Sequence, residues 1–313
     1  MTDFTLLADG LAFPEGPVLM PDGAIIVGEI GAGRLTRITM DGQTSTIAET
    51  GGGPNGLALG DDGMLYVCNN GGFAWDRAGG QWRPLGKAAD NIGGSIQRVD
   101  PRTGQVLPLY THCGAVPLSA PNDIVFDSHG GFYFTDHGHR QGRTVDFGAV
   151  YYAKADGSHI REVAYPLLGP NGIGLSPDHS LLYVAETSSG RLWSWRIEAP
   201  GTLRKADWPS PTGGELAAGL SGFQRYDSLA VEESGNIAIA TLRFGGVVVV
   251  SPRGAEVERI PMPDPYTTNL CFGGADRRTA FITLSSSGRL VRMPWARPGL
   301  SLRAPLEQAV SEE

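Results

Sequence analysis

Six times along this chain a polar residue is followed, seven positions later, by a turn residue, with alternating apolar residues around them. The stretches are "PEGPVLMPDGAIIVGE" from Pro14, "PNGLALGDDGMLYVCN" from Pro54 and "PNDIVFDSHGGFYFTD" from Pro121. They continue with "PNGIGLSPDHSLLYVAE" from Pro170, "YDSLAVEESGNIAIAT" from Tyr226 and "TNLCFGGADRRTAFITL" from Thr268. The leading polar residues are Glu15, Asn55, Asn122, Asn171, Asp227 and Asn269, and the turn residues are Asp22, Asp62, His129, Asp178, Ser234 and Asp276. Period-two alternation broken by a Gly, Asp or Ser turn reads as a β-hairpin. A hairpin that recurs at intervals of 40 to 67 residues is a repeat architecture.

Each unit carries further alternating segments after its hairpin: "GRLTRITMDG", "GSIQRVDPRTG", "GAVYYAKADG", "GRLWSWRIE", "GGVVVVSPRG" and "GRLVRMPW". Six units of four short strands predict an all-β chain, a six-bladed β-propeller of four-stranded antiparallel blades. The innermost strand of every blade then starts at the central channel. The six leading residues are therefore expected to form one polar ring facing a common tunnel. The N-terminal "FTLLADGLA" reads as a strand that closes the ring against the last blade, removing exposed sheet edges. Residues 1–313 read as a single propeller domain, with 297–313 as a peripheral tail.

Composition agrees with many tight turns: 45 glycines and 22 prolines stand beside only 19% charged residues. A net charge of −8 with no Lys/Arg run argues against a nucleic-acid surface. Three widely spaced cysteines without a C-x-x-C pair favour a reducing compartment over a disulfide framework or a thiolate metal site. The first residues lack a basic segment followed by an apolar one, and apolar runs such as "GGVVVVS" are only strand-sized. The expectation is a cytoplasmic protein without a membrane partner.

The ring supplies two carboxylates, Glu15 and Asp227, and four amides, all oxygen donors. Hard divalent cations such as Ca²⁺ take oxygen ligands of this kind. Asn and Asp at a strand start also serve as plain turn residues. That duty does not explain Glu15, a poor turn former placed after Phe13-Pro14.

At "FPEGPVLMPDG", "PNDIVFDSHGGFYFTD", "GPNGIGLSPDHSLLYVAETSSGRLW" and "TTNLCFGGADRRTAFIT" the chain resembles the senescence-marker-protein/gluconolactonase/luciferin-regenerating-enzyme family of six-bladed propellers. The resemblance implies a central metal site holding one divalent cation through Glu15, Asn122, Asn171 and Asp227. Ca²⁺ is the first expectation, with Zn²⁺, Mg²⁺ and Mn²⁺ as alternatives. It further implies that Asp123 contacts substrate or metal-bound water, and that Asn55 and Asn269 are not ligands; Asn55 is the better pocket residue. "FYFTDHG" is closer to the bacterial lactonase branch than to the animal gluconolactonase branch.

Other candidates are weaker. Glu29, Asn69, Asp136 and Glu186, at the hairpin ends, read as core-facing polar or turn residues. His137 and His139 lack a third ligand for a zinc pair, and His137 is kept as a possible pocket hydrogen-bond donor. The loop 71–94, with Trp75 and Trp82, is either a surface insertion or a wall over the site that touches substrate. No G-x-S-x-G nucleophile elbow is present, and "GAGRL" at 31–35 is not a dinucleotide fingerprint.

These readings converge on a metal-dependent lactonase acting on a small cyclic ester, with Asp227 or Asp123 as the base that activates water. The alternatives are a propeller phosphotriesterase of the diisopropylfluorophosphate-cleaving type and a non-catalytic propeller that binds a ligand or partner. A strictosidine-synthase-like condensation fits less well, because it does not depend on this residue quartet.

Overall fold

A computed structural model describes residues 3–301. Six antiparallel sheets stand around an axis, as the repeat predicts, five of them four-stranded and the fourth carrying one extra short strand. Their innermost strands are Pro14–Leu19, Pro54–Leu59, Pro121–Phe126, Pro170–Leu175, Tyr226–Val231 and Thr267–Gly273. Each begins at or beside the Pro, Tyr or Thr that precedes a leading polar residue. Blades one to six are numbered by these strands. In the fourth, Thr202–Leu203 and Glu215–Ala218 both pair with the third strand, Arg191–Ala199. Among the described residues no helix is long and apolar enough to cross a membrane.

The alternation of side chains decides the packing. Each blade has two apolar faces, and each face meets the next blade, so the core divides into six clusters, one per seam. The seam between blades three and four, for example, buries Tyr133, Tyr152, Trp193 and Trp195 together. The seam between blades six and one contains Leu7, Leu11, Ile25, Val27, Phe281 and Leu290. It exists because Thr5–Ala8 pairs antiparallel with Arg289–Pro294 as the outer strand of blade six. The closing role read for "FTLLADGLA" is thus the observed one.

The innermost strands line an axial cavity of about 350 Å³. Its wall is apolar, with Val18, Leu57, Ile124, Ile173, Leu229 and Leu270 among the residues facing it. Leu300 and Ser301 reach its far end. There Leu300 N–H donates to the Val231 carbonyl at 2.9 Å, and Arg297 bonds Glu232 and Glu258. Residues 297–301 thus run across the far mouth of the channel, and the remainder of the expected tail, 302–313, lies outside the described residues.

Candidate active site

Each innermost strand pairs normally at its first residue and then breaks register. In the first blade Pro14 opposes Glu29, and the ladder shifts between Glu15 and Val18. The same irregularity recurs in all six blades at the leading polar residue. A bulge of this kind releases a side chain from the ladder and re-aims it. The crowding at the axis is visible at Gly56, where a Cβ would lie 2.5 Å from the Asn122 carbonyl oxygen of the neighbouring strand. Glycine there permits the close approach.

Glu15, Asn55, Asn122, Asp123, Asn171, Asp227 and Asn269 are between 3% and 8% exposed. Burial pushes the Asp123 carboxyl up to about 7 and that of Asp227 well above the usual carboxylate range, and it raises Glu15 as well. The charge of Glu15 adds to the rise at both aspartates, so the three carboxyls share one field although they come from blades one, three and five. Hydrogen-bond donors offset the rise only in part, among them Thr268 and Asn269 at Glu15, Ser228 at Asp123 and Asn171 at Asp227. Gly16 N–H donates to Glu15 Oε2 at 2.9 Å, and Ile124 N–H to Asp123 Oδ1 at 2.9 Å.

The amides complete the donor set. Asn122 Oδ1 is buried without a hydrogen-bond partner. Asn171 donates from Nδ2 to Thr187 Oγ1 at 3.3 Å, which leaves its Oδ1 with a long 3.4 Å contact from Ser228 Oγ. An unsatisfied buried acceptor costs about 1–3 kcal/mol, and a cation there would offset that cost while neutralising the crowded carboxylates. Asn269 is less available, since its Oδ1 accepts from Leu270 N–H at 2.7 Å. Among the described residues no three Asp, Glu, His or Cys side chains gather as a metal cluster. A cation at the ring has to draw on amide oxygens, and Glu15, Asn122, Asn171 and Asp227 together fit a hard divalent ion.

The hairpin-end residues have a different task. Glu29 Oε2 accepts from Ala12 N–H at 2.7 Å, Asn69 Oδ1 from Gly53 N–H at 2.9 Å, Asp136 Oδ1 from Ala120 N–H at 2.7 Å and Glu186 Oε1 from Leu168 N–H at 2.6 Å. Each grips the chain just before it enters the ring, the core-facing role expected of them. Hydroxyls tie adjacent blades at the same level: Thr135 donates to the Asn171 carbonyl, Thr187 to that of Tyr226 and Ser285 to that of Pro14, each at 2.6 Å. The repeat alone did not reveal these ties, because a Thr or Ser after a strand has many ordinary uses.

A second set of equivalent positions surrounds the ring on its outer side. The residue after each second strand donates its N–H to a carbonyl just before the innermost strand: Ile30 to Phe13, Asn70 to Gly53, His137 to Ala120, Thr187 to Gly169, Leu242 to Arg225 and Ser285 to Tyr266. The loop 71–94 covers part of this mouth. It carries the two-stranded hairpin Phe73–Asp76 and Arg83–Lys87. Trp75 packs on Phe13 with ring centroids 5.0 Å apart, and Trp82 lies edge-on to Trp75 at 5.1 Å. Trp82 N–H donates to the Ser286 carbonyl at 2.9 Å, and its ring covers Gly31. The insertion therefore leaves blade two and packs on residues of blades one and six, and on His139 and Arg140 beside blade three.

The two histidines diverge. His137 is half-buried against Gly169, with Nδ1 3.1 Å from the Gly138 carbonyl. His139 packs edge-on to Phe73, and its buried Nε2 has no partner. Burial lowers the proton affinity of both. The mouth residues Phe13, Arg225 and Tyr266 carry no motif of their own. Counting back from the repeat's leading residues would have pointed to Phe13 and Arg225, each two positions before its anchor.

Comparison with known proteins agrees with this geometry. Over 252 residues the chain is 29% identical to the lactonase drp35 of Staphylococcus haemolyticus, covering 80% of this chain and 69% of that protein. The match to the same-named Staphylococcus aureus protein is 30% over 210 residues, and it spans only 57% of that relative's length. Among solved structures, a gluconolactonase of Xanthomonas campestris superposes with a TM-score of 0.73 at 22% identity, covering 93% of this chain and 89% of the other. Regucalcin of Agrobacterium tumefaciens, described as a calcium-binding protein, superposes with a TM-score of 0.72 at 17% identity, covering 96% and 99%. The sequence profile of the SMP-30/Gluconolactonase/LRE-like region matches residues 13–286. The ring of leading polar residues and the six innermost strands that carry it thus lie within one recognised unit, and the chain belongs to the SMP-30/gluconolactonase/LRE-like family.

Proposed function

We propose that this protein is a divalent-metal-dependent lactonase that opens a small cyclic ester at the outer end of the propeller channel. The observation that carries this reading is the burial of Glu15, Asn122, Asn171 and Asp227 at equivalent strand starts around the axis, with Glu15 and Asn171 acting on Asp227 and Asn122 Oδ1 left bare. When bound there, a cation such as Ca²⁺ would act as a Lewis acid toward the ester carbonyl and orient water. The drp35 relatives are named lactonases and a structural neighbour is named a calcium-binding protein, which supports both halves of the proposal.

The chain's own groups do the rest. Asp123 or Asp227 takes the proton from the attacking water. Asp123 is held in place by its bond from Ile124 N–H, and by its own N–H, which donates to Thr135 Oγ1 at 3.1 Å. Burial raises its carboxyl to about 7 in the cation-free site, a rise that a bound cation would partly reverse, leaving the carboxylate able to accept a proton. The largely apolar channel wall beneath the ring lowers the local dielectric and so strengthens charge interactions in the site. Asn55, and Trp75 and Trp82 from the overlying hairpin, border the space in which the lactone would sit, with His137 at the opposite sector of the mouth.

A panel of sugar and aliphatic lactones, assayed after chelation and again with Ca²⁺, Mg²⁺, Mn²⁺ or Zn²⁺ restored, tests the proposal. Activity should vanish with the metal and return with it. Asp227→Ala should lower kcat/KM by about a thousandfold or more and lose the cation by calorimetry. Asp123→Asn should lose rate while still binding the ion. Full hydrolysis by the metal-stripped protein would overturn the metal dependence, and failure to open any lactone with a cation restored would turn the reading toward a propeller that only binds its ligand.

A further inference from the structure

The six equivalent mouth positions are not alike. Gly53, Ala120 and Gly169 are small, Phe13 and Tyr266 are aromatic, and Arg225 is the one charged residue of the set. Its backbone is fixed by the bond from Leu242 N–H at 2.9 Å, two residues before Asp227. Its side chain is half-buried, and among the described residues no carboxylate lies within ion-pair distance of it. Arg34, Arg37, Arg98, Arg277 and Arg297, also half-buried, each hold a carboxylate. Arg292 is another without one, and it lies along Met40 on the outer part of blade six. Arg225 instead stands at the mouth two residues before Asp227, and its charge makes a small contribution at both Asp227 and His137.

A lone guanidinium there works against a bound cation, so cation binding does not account for it. It presents five N–H donors in a planar fork that matches a carboxylate. A singly charged group also suits a mouth that already faces Glu15, Asp123 and Asp227, whereas a phosphate would bring more negative charge to it. The rest of the mouth is apolar on the other side: Phe13 contacts Trp75 at 5.0 Å and Tyr266 at 5.9 Å. The mouth is thus divided, with aromatic rings over blades six, one and two and a cationic group over blade five.

We infer that Arg225 selects lactones bearing a carboxylate substituent, which it holds while the carbon skeleton of the ring lies against Phe13, Trp75 and Tyr266. This rests on the lactonase reading and narrows it to a substrate class.

The test compares a lactone carrying a ring carboxylate with its primary amide, and with a phosphorylated lactone, using the cation-loaded protein. The native protein should favour the carboxylate by about tenfold or more in kcat/KM, as a charge-assisted hydrogen bond supplies. Arg225→Gln should collapse that ratio toward one, and Arg225→Lys should keep part of it. A purely structural role would lower both lactones together. Calorimetry with the ring-opened dicarboxylate should show binding weakened about ten- to a hundredfold in Arg225→Gln. A native ratio near one, a ratio unchanged in Arg225→Gln, or a preference for the phosphorylated lactone would overturn the inference. Hydrolysis of the amide alone would leave the lactonase reading standing and remove this one. Hydrolysis of neither lactone, with dicarboxylate binding lost in Arg225→Gln, would remove the lactonase reading and leave Arg225 as a carboxylate-binding residue only.

Discussion

Three carboxyls buried in one field set the behaviour of the site at the residue scale. Burial and the Glu15 charge raise Asp123 from 3.8 to about 7 and lift Asp227 well above its usual range. A carboxyl raised on folding binds more protons in the native state than in the unfolded one across the interval between the two values. Stability then falls as pH rises through that interval. The metal-free protein should therefore lose thermal stability between about pH 5 and pH 8, followed as the midpoint of unfolding at each pH. A saturating divalent cation should flatten or reverse the trend, because it favours the ionised carboxylates and binds only the folded ring. A metal-free midpoint that climbs over this range would contradict the convergence of Glu15, Asp123 and Asp227.

Among the elements, the hairpin Phe73–Asp76 and Arg83–Lys87 is the one proposed to touch substrate. It is anchored at its base by Asn91, whose Nδ2 donates to the Asn70 and Gly72 carbonyls at 3.1 and 2.9 Å. At its far end Arg77 lies over the Trp82 ring at 3.4 Å, and Trp82 N–H meets Ser286. None of these contacts joins an anchor side chain. Trp75→Ala with Trp82→Ala should therefore shift KM by about three- to thirtyfold, unevenly across a lactone panel, as lost apolar contact does. Cation affinity measured by calorimetry should move far less. Equal KM changes for every lactone, or a lost cation, would place the hairpin in support of the ring rather than beside the substrate. The period of the chain marked this segment as an interruption of blade two, but not its course. Trp82 and Ser286 stand 204 positions apart, so nothing local to 71–94 shows that it crosses to blades one and six.

The ring as a whole is held by six seams, and one of them depends on the N-terminal strand. Thr5–Ala8 supplies the outer edge of blade six, and Leu7, Ala8 and Leu11 fill the seam to blade one. Deleting residues up to Asp9 should expose the Arg289–Pro294 edge and open that seam. The expected result is a midpoint lower by roughly 10 °C or more, given a few kcal/mol lost in a chain of this size, with aggregation on heating followed by light scattering. A deletion variant as stable as the full chain would show that the other five seams suffice to hold the ring closed.

What the linear sequence determined by itself is the blade. Alternation, turn chemistry and the seven-residue offset are local properties, and repeated six times they leave a closed propeller as the arrangement that buries every sheet face. The same repetition placed Glu15, Asn122, Asn171 and Asp227 at corresponding strand starts, and therefore on one axis. The tertiary structure alone decided what those starts do. The charge that helps lift Asp123 and Asp227, and the hydroxyl ties from Thr135, Thr187 and Ser285, involve neighbours one or more blades away. Arg225 and Phe13 lie 212 positions apart and share a mouth only because ring closure brings blade five and blade one to either side of blade six. Field, burial and shared walls act through space, and a repeat pattern records only distance along the chain.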